Sequence, residues 1–152
     1  MAGLFEPTLR RHLRDGQVAL VMFDVDDMKG VNDIYGIPAG EAVLRQLGAV
    51  IEAERPAGTK ALRTGGDEAA IVFPDGDAAV ASRVAEQIRA RFEIAQASVP
   101  YMAEPLSEFT LSAGVGSCPQ SRAPEGAPML IDAASRALKE AKAHGRNRVG
   151  LS

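Results

Sequence analysis

Leu4, Leu9 and Leu13 in LFEPTLRRHLR fall at near-helical spacing and predict a helix over 4–14, with Pro7 tolerated only in its first turn. The period then changes. Val18-Ala19-Leu20-Val21-Met22-Phe23 is an unbroken apolar run that stops at Asp24-Val25-Asp26-Asp27. Such a run reads as a strand buried on both faces that delivers acids at its C-terminal end. Residues 28–35 predict a short helix closed by Gly36, and Val43, Leu44, Leu47, Val50 and Ile51 share one face of a helix over 40–53. Lys60-Ala61-Leu62-Arg63 and Ala69-Ala70-Ile71-Val72-Phe73 predict two strands around Thr64-Gly65-Gly66-Asp67. A Gly-Gly pair there suits a tight hairpin, since both positions adopt positive φ at little cost.

Pro74-Asp75-Gly76 ends the second of these strands, and Asp77 is placed to cap a helix carrying Val80, Val84, Ile88 and Phe92. Residues 98–107 read as a loop or ragged hairpin, 109–115 as a strand, and the proline-bearing 119–128 as a loop. Leu130, Ala134, Ala137, Leu138 and Ala141 define a last helix over 129–143, stopped by Gly145 and followed by a closing strand over 148–151. The order is therefore helix, strand, two helices, hairpin, helix, strand, helix, strand. Interleaved strands and helices, with a hairpin that makes part of the sheet antiparallel, predict an α+β fold: a helix-covered mixed sheet of the split βαβ kind.

Composition narrows the function classes. The 152 residues suit one domain, and 46% hydrophobic with 24% charged residues is ordinary for a globular chain. With 17 Lys+Arg against 20 Asp+Glu and no Trp, neither a nucleic-acid polymer nor a base-stacking platform is indicated. No apolar stretch approaches the ~18 residues of a membrane span, and the N-terminus has no apolar signal core. The lone Cys118 excludes an internal disulfide and a multi-cysteine zinc site, which fits a reducing, cytoplasmic setting.

Three clusters carry candidate chemistry. They are Asp24-Val25-Asp26-Asp27 at the end of a buried strand, Gly65-Gly66-Asp67-Glu68 at a hairpin tip, and Lys142-Ala143-His144-Gly145-Arg146 at the end of the last helix. Taken singly, Asp26 or Asp27 is an ordinary helix cap, Gly-Gly-Asp an ordinary turn, and Lys142 with Arg146 a solvated pair favoured by the helix dipole. Asp24 is the least comfortable as structure alone, because an unpaired buried carboxylate is costly. If the first strand pairs with the hairpin, Asp24 and Asp67 face one end of the sheet as a hard-oxygen site suited to Mg²⁺. Lys142 and Arg146, four apart, would then reach one polyphosphate. Acid for metal and base for phosphate is the equipment of metal-dependent nucleotidyl transfer. A Walker A loop is absent. An EF-hand loop fails at Met28 and Lys29, and His12 and His144 are too separated for a metal pair.

The joint pattern is more specific than its parts. The segments FDVDDMKGVNDIYGIPAGEAVL (23–44), RTGGDEAAIVF (63–73), FTLSAGVG (109–116) and ALKEAKAHGRNRV (137–149) resemble the GGDEF family of diguanylate cyclases, in order and spacing, over residues 17–151. The resemblance implies a palm-type, ferredoxin-like sheet similar to that of nucleotidyl cyclases, filling residues 17–152, with 1–16 as an N-terminal helix or linker. It implies that two GTP are joined into cyclic di-GMP with loss of pyrophosphate, across a homodimer formed at the nucleotide face. Under it, Asp24, Asp67 and the carbonyl of Val25 hold Mg²⁺ (or Mn²⁺), and Glu68 lies near the reacting hydroxyl. Asn32 and Glu41 bind guanine. Lys142, Arg146 and backbone N–H groups at 26–29 (with Asp27, Met28 and Lys29 as phosphate-site residues) bind phosphates.

The chain departs from the family pattern at Ala69, where Phe is usual, at Ile37 for His, at Glu41 for Asp and at Lys139 for Tyr. A Phe→Ala change in a core that does not repack costs about 3–5 kcal/mol. Arg55-Pro56-Ala57-Gly58 has the Arg but lacks the Asp of the family's inhibitory Arg-x-x-Asp, so product feedback there is not expected. The alternatives are a degenerate module binding GTP or cyclic di-GMP without turnover, and a related cyclase with another product. With no sensory domain in the 152 residues, control would come from a separate sensory or regulatory partner or from a missing segment.

Overall fold

The computed structural model of the chain describes residues 5–13, 17–118 and 126–152. Helix α1 (Phe5–Leu13) leads into strand β1 (Val18–Val25), helices α2 (Met28–Tyr35) and α3 (Ile37–Glu54), and the hairpin β2 (Lys60–Arg63) and β3 (Glu68–Pro74). Helix α4 (Ala78–Glu93), strand β4 (Leu111–Cys118), helix α5 (Gly126–Ala143) and strand β5 (Val149–Leu151) complete it. This is the order the hydrophobic pattern predicts.

The five strands form one sheet in the order β2-β3-β1-β4-β5, antiparallel except for the β4–β5 pair. All eight residues of β1 are buried, which explains its unbroken apolar run. Its alternate side chains serve two cores. Ala19, Val21, Phe23 and Val25 pack with α3, α4 and the 97–109 segment. Val18, Leu20 and Met22 pack with α1 and α5, whose Leu9, Leu13, Ala134 and Leu138 are buried there. The result is a sheet between two helical layers, the α+β sandwich expected.

Helix α5 lies close against β4. A Cβ at Gly114 would fall 2.2 Å from the Ala134 carbonyl oxygen and from the Leu138 nitrogen, so only glycine permits this approach. This contact sets the distance between α5 and the sheet, and with it where Lys142 lies.

Several boundaries differ from the sequence reading. Helix α3 begins at Ile37 rather than 40, because Pro38 presets its first turn directly after Gly36. Helix α5 begins at Gly126 and takes Pro128 into its first turn. Strand β4 starts at Leu111 rather than 109: Phe109 lies outside the ladder and packs at a tilt of 53° against Phe92, with ring centroids 4.8 Å apart. The 98–107 segment is closed by a single bridge, Ala97 to Leu106. Leu4 and positions 119–125 of the predicted loop lie outside the described residues.

Candidate functional site

Four chain segments meet at the C-terminal end of β1: the strand end itself, the start of α2, the β2–β3 turn, and the turn after α5. Asp24 is the last inward-facing polar residue of β1, in register with Glu68 of β3 and Ser112 of β4. It is 7% exposed, and burial pushes its carboxyl above the ordinary 3.8. Lys142, donating from Nζ to Asp24 Oδ2, opposes that shift, while the charges of Asp67 and Asp26 add to it. Asp67 is tied to the strand end through its carbonyl, which accepts from Val25 N at 3.4 Å. The structure thus brings Asp24, Val25, Asp67, Glu68 and Lys142 together, from segments more than a hundred residues apart.

The two convergent carboxylates fit a hard divalent cation. Lys142 already places a positive charge on Asp24, and Mg²⁺ needs few protein oxygens because it keeps waters and takes phosphate oxygens. Among the described residues no group of three or more His, Cys, Asp or Glu forms a cage by itself.

The β2–β3 turn departs from the sequence reading. Neither Gly65 nor Gly66 has positive φ. The turn is closed by Thr64 N donating to Glu68 O at 3.1 Å, and by Arg63, which donates to the carbonyls of Gly65 (3.2 Å) and Gly66 (2.6 Å). A Cβ at Gly65 would come within 2.9 Å of Glu68 Oε2, the movable end of that side chain, so the close approach sets where the Glu68 carboxylate can lie.

The start of α2 divides the acids differently from expectation. Asp27 is the cap, in the left-handed region at φ 52, its Oδ1 accepting from Gly30 N at 3.2 Å. Asp26 is a buried tie, accepting from Ser112 Oγ at 2.7 Å, Thr110 Oγ1 at 2.8 Å and Asn147 N at 3.0 Å. Its own N–H donates to Thr110 O, so the amide cradle expected over 26–29 begins at Asp27. The backbone at Met28 and Lys29 forms the first turn of α2, where the helix dipole favours an anion.

A cleft of about 260 Å³ opens beside these acids, lined by Met28, Asn32, Ile37, Gly40, Glu41, Leu44, Gly66 and Asp67. Asn32 Oδ1 is buried there without a hydrogen-bond partner. A Cβ at Gly40 would come within 2.0 Å of that oxygen. Glu41 stands exposed at the rim. Lys142 lies in the last turn of α5, but Arg146 does not share the helix. The helix ends at Ala143, and Arg146 follows Gly145 (φ 111) in a left-handed turn at φ 60. The pair is joined by that turn rather than by one helical repeat.

A second opening, about 570 Å³, separates α3 from the β2–β3 hairpin. Leu44, Leu47, Ile51, Ala61, Leu62 and Ala69 form its apolar walls, with Arg45, Arg63 and Glu52 at the rim. Ala69 pairs with Phe23 and faces this opening. It sits at the edge of a groove open to water rather than in a sealed core, so the cost of the small side chain is below that of a core truncation. The groove and the tie through Asp26 were not foreseen. The small polar residues Thr110 and Ser112, interrupting FTLSAGVG, were the available signal for the tie.

Known proteins resemble this chain in sequence and in fold. The family profile described as "Diguanylate cyclase, GGDEF domain" matches residues 2–148. Diguanylate cyclase A of Treponema denticola is 35% identical over 135 residues, 89% of this chain and 35% of its own length. The chain thus spans about a third of that relative. The solved GGDEF domain of DgcB from Caulobacter crescentus, in complex with c-di-GMP, superposes with a TM-score of 0.88 at 28% identity. That superposition covers 99% of this chain and 89% of the other. Diguanylate cyclase SiaD of Pseudomonas aeruginosa, solved with its activator SiaC, gives 0.83 at 28% identity, over 97% of this chain and 58% of SiaD. With a profile match that takes in four of the five strands, both helical layers and the acidic strand end, this chain belongs to the GGDEF domain family.

Proposed function

We propose that the chain is a divalent-metal-dependent diguanylate cyclase domain that condenses two GTP into cyclic di-GMP and pyrophosphate. The observation that carries this reading is the nearness of the Asp67 charge to the buried Asp24, beside a cleft in which Asn32 Oδ1 is buried and unpartnered among the described residues. A buried acceptor without a donor costs about 1–3 kcal/mol, and the exocyclic amine of guanine would satisfy it. Glu41 at the rim supplies a carboxylate for the remaining base donors, with Met28 and Leu44 against the apolar face of the ring.

Asp24, Asp67 and the Val25 carbonyl would hold Mg²⁺ or Mn²⁺. When bound, the metal supplies a lowered pKa at the attacking 3′-hydroxyl and charge neutralisation at the leaving pyrophosphate. Lys142 and Arg146 bind the phosphate oxygens, and the amides at the start of α2 receive the terminal phosphates. Glu68, in register with Asp24, stands next to the reacting hydroxyl. Each chain holds one GTP. Each 3′-hydroxyl must attack the α-phosphorus of the other GTP, forming two phosphodiester bonds and releasing two pyrophosphates, so the active form is two chains facing across a two-fold axis. A separate activator is in keeping with the SiaD–SiaC pair.

The test is incubation of concentrated protein with Mg²⁺ and GTP, followed by chromatography of the products. Cyclic di-GMP should form, vanish in Asp67→Asn, and rise faster than linearly with protein concentration. A rate per chain independent of dilution would refute the dimer. The groove beneath Ala69 favours a second reading, a module that binds GTP without turnover. Tight GTP binding with no product at any protein concentration would select it, and preference for ATP would point to a cyclase with another product.

A further inference from the structure

We propose that Asn147 is a positioning residue for Arg146, locking the turn after α5 so that the guanidinium is presented to the phosphates; this rests on the nucleotide reading above. Gly145, Arg146 and Asn147 have φ of 111, 60 and 46, three consecutive left-handed residues, two of which are not glycine. Such a run persists only where its surroundings hold it. The backbone of Arg146 is held at both ends: its N–H donates to Ala141 O at 3.0 Å, and its carbonyl accepts from Arg148 Nε at 3.1 Å. Its guanidinium, by contrast, has no hydrogen bond or ion pair with any of the described residues.

Asn147 ties this turn to two other parts of the fold. Its N–H donates to Asp26 Oδ2 at 3.0 Å, two residues beyond Asp24. Its side chain is read in both senses by α4: Oδ1 accepts from Arg89 Nη1 at 2.7 Å, and Nδ2 donates to Glu93 Oε1 at 2.8 Å. Arg89 is itself fixed, donating to Glu86 and to Glu93 Oε2. A side chain that must be donor on one edge and acceptor on the other selects an amide, and a left-handed backbone selects Asn among the amides. The network ends on Asp26, which joins the phosphate-facing turn to the strand that bears Asp24. The phosphate cation and the acidic strand end are thereby set against one another by α4, a helix that contributes nothing to the cleft.

The test is the affinity for Mg²⁺ with a GTP analogue whose α–β bridge is methylene, measured by calorimetry so that turnover does not interfere. Arg146→Ala should weaken binding about tenfold or more, as loss of a charge-assisted contact does. Asn147→Gly keeps the left-handed backbone and the N–H to Asp26 but removes both side-chain bonds, and should weaken binding about fivefold. In an Arg146→Ala background the same change should cost less than twofold, because nothing remains to be positioned. Asn147→Asp should bind poorly against Glu93, and Asn147→Asp with Glu93→Gln should recover, the donor and acceptor having been exchanged. Equal losses for Asn147→Gly in both backgrounds, or wild-type affinity in the single variant, would overturn the proposal. Should Asn147→Gly fail to fold, Arg89→Lys, which keeps the charge and loses the second contact, takes its place with the same expectation. Unchanged affinity in Arg146→Ala would instead refute the phosphate assignment, and the proposal with it.

Discussion

Replacing Ala69 by Phe should stabilise the protein and raise its turnover together. Ala69 lies on β3 immediately after Asp67 and Glu68 and lines the groove of about 570 Å³ between α3 and the hairpin. Full burial of a Phe side chain is worth about 1.5–3 kcal/mol. The groove is open on one side, so roughly half of that, about 0.75–1.5 kcal/mol, is expected. For a chain of this size such a gain raises the melting temperature by roughly 3–5 °C. The new ring would pack on Leu44, Leu47 and Ile51 and hold the hairpin against α3, reducing the motion of Asp67 and Glu68. The assay pairs thermal unfolding with the rate of cyclic di-GMP formation at fixed protein concentration. A lowered melting temperature would show that the ring is overpacked and that the groove is closed in solution. A stabilised variant with unchanged turnover would sever the link between hairpin packing and catalysis.

Other expectations follow from single contacts. Lys142→Met leaves Asp24 buried beside Asp67 and Asp26 without its cation. With Lys142 partly exposed, the loss should be about 1–2 kcal/mol in EDTA, restored in Asp24→Asn/Lys142→Met and read by urea unfolding. Arg89 first, and Asn147 second, hold the Glu93 carboxyl below its ordinary 4.5. That group's contribution is present above pH 4.5 and is lost as the pH falls through its folded value. Glu93→Gln should therefore melt below the unchanged protein at pH 7, with the gap closing beneath pH 4.5. Gly114→Ala drives a Cβ into the backbone of α5 and should cost about 3 kcal/mol or more, whereas Gly48→Ala, which meets nothing within 4 Å, should gain about 1 kcal/mol of helix propensity. Asn32→Ala should weaken GTP binding up to about tenfold and leave ATP binding unchanged, measured by calorimetry.

What was legible in the sequence divides along physical lines. Strand β1 announced itself because a strand buried on both faces has no polar positions to hide its period. The acids at its end stood out because nothing in a strand's own chemistry calls for them. The order of elements followed from alternation and breakers, and the acidic and basic clusters could be placed once the strand was paired with the hairpin. The conformation of the Gly65-Gly66 turn is not legible, because glycine permits positive φ without requiring it and the turn is closed instead by Thr64 and Arg63. Arg146 was placed on a helical repeat because four-residue spacing looks the same whether or not the helix continues past Gly145. The tie through Asp26, Thr110, Ser112 and Asn147 links positions 84 to 121 apart. No local pattern encodes such a pairing. The groove at Ala69 was visible only as a small residue where a large one is usual, and its shape needed α3 in place.

The position of β1 in the sheet carries a consequence for how the molecule opens. It is hydrogen-bonded on both edges and covered on both faces, so its amides should exchange with solvent only when the whole domain unfolds. Strand β2 is a four-residue edge strand, half exposed, and can fray from β3 by itself. Asp24 therefore rides on the slowest-exchanging segment while Asp67 and Glu68 ride beside one of the fastest. Deuterium uptake resolved by segment would read the two halves of one site as two different clocks, and ligand that bridges them should slow only the second.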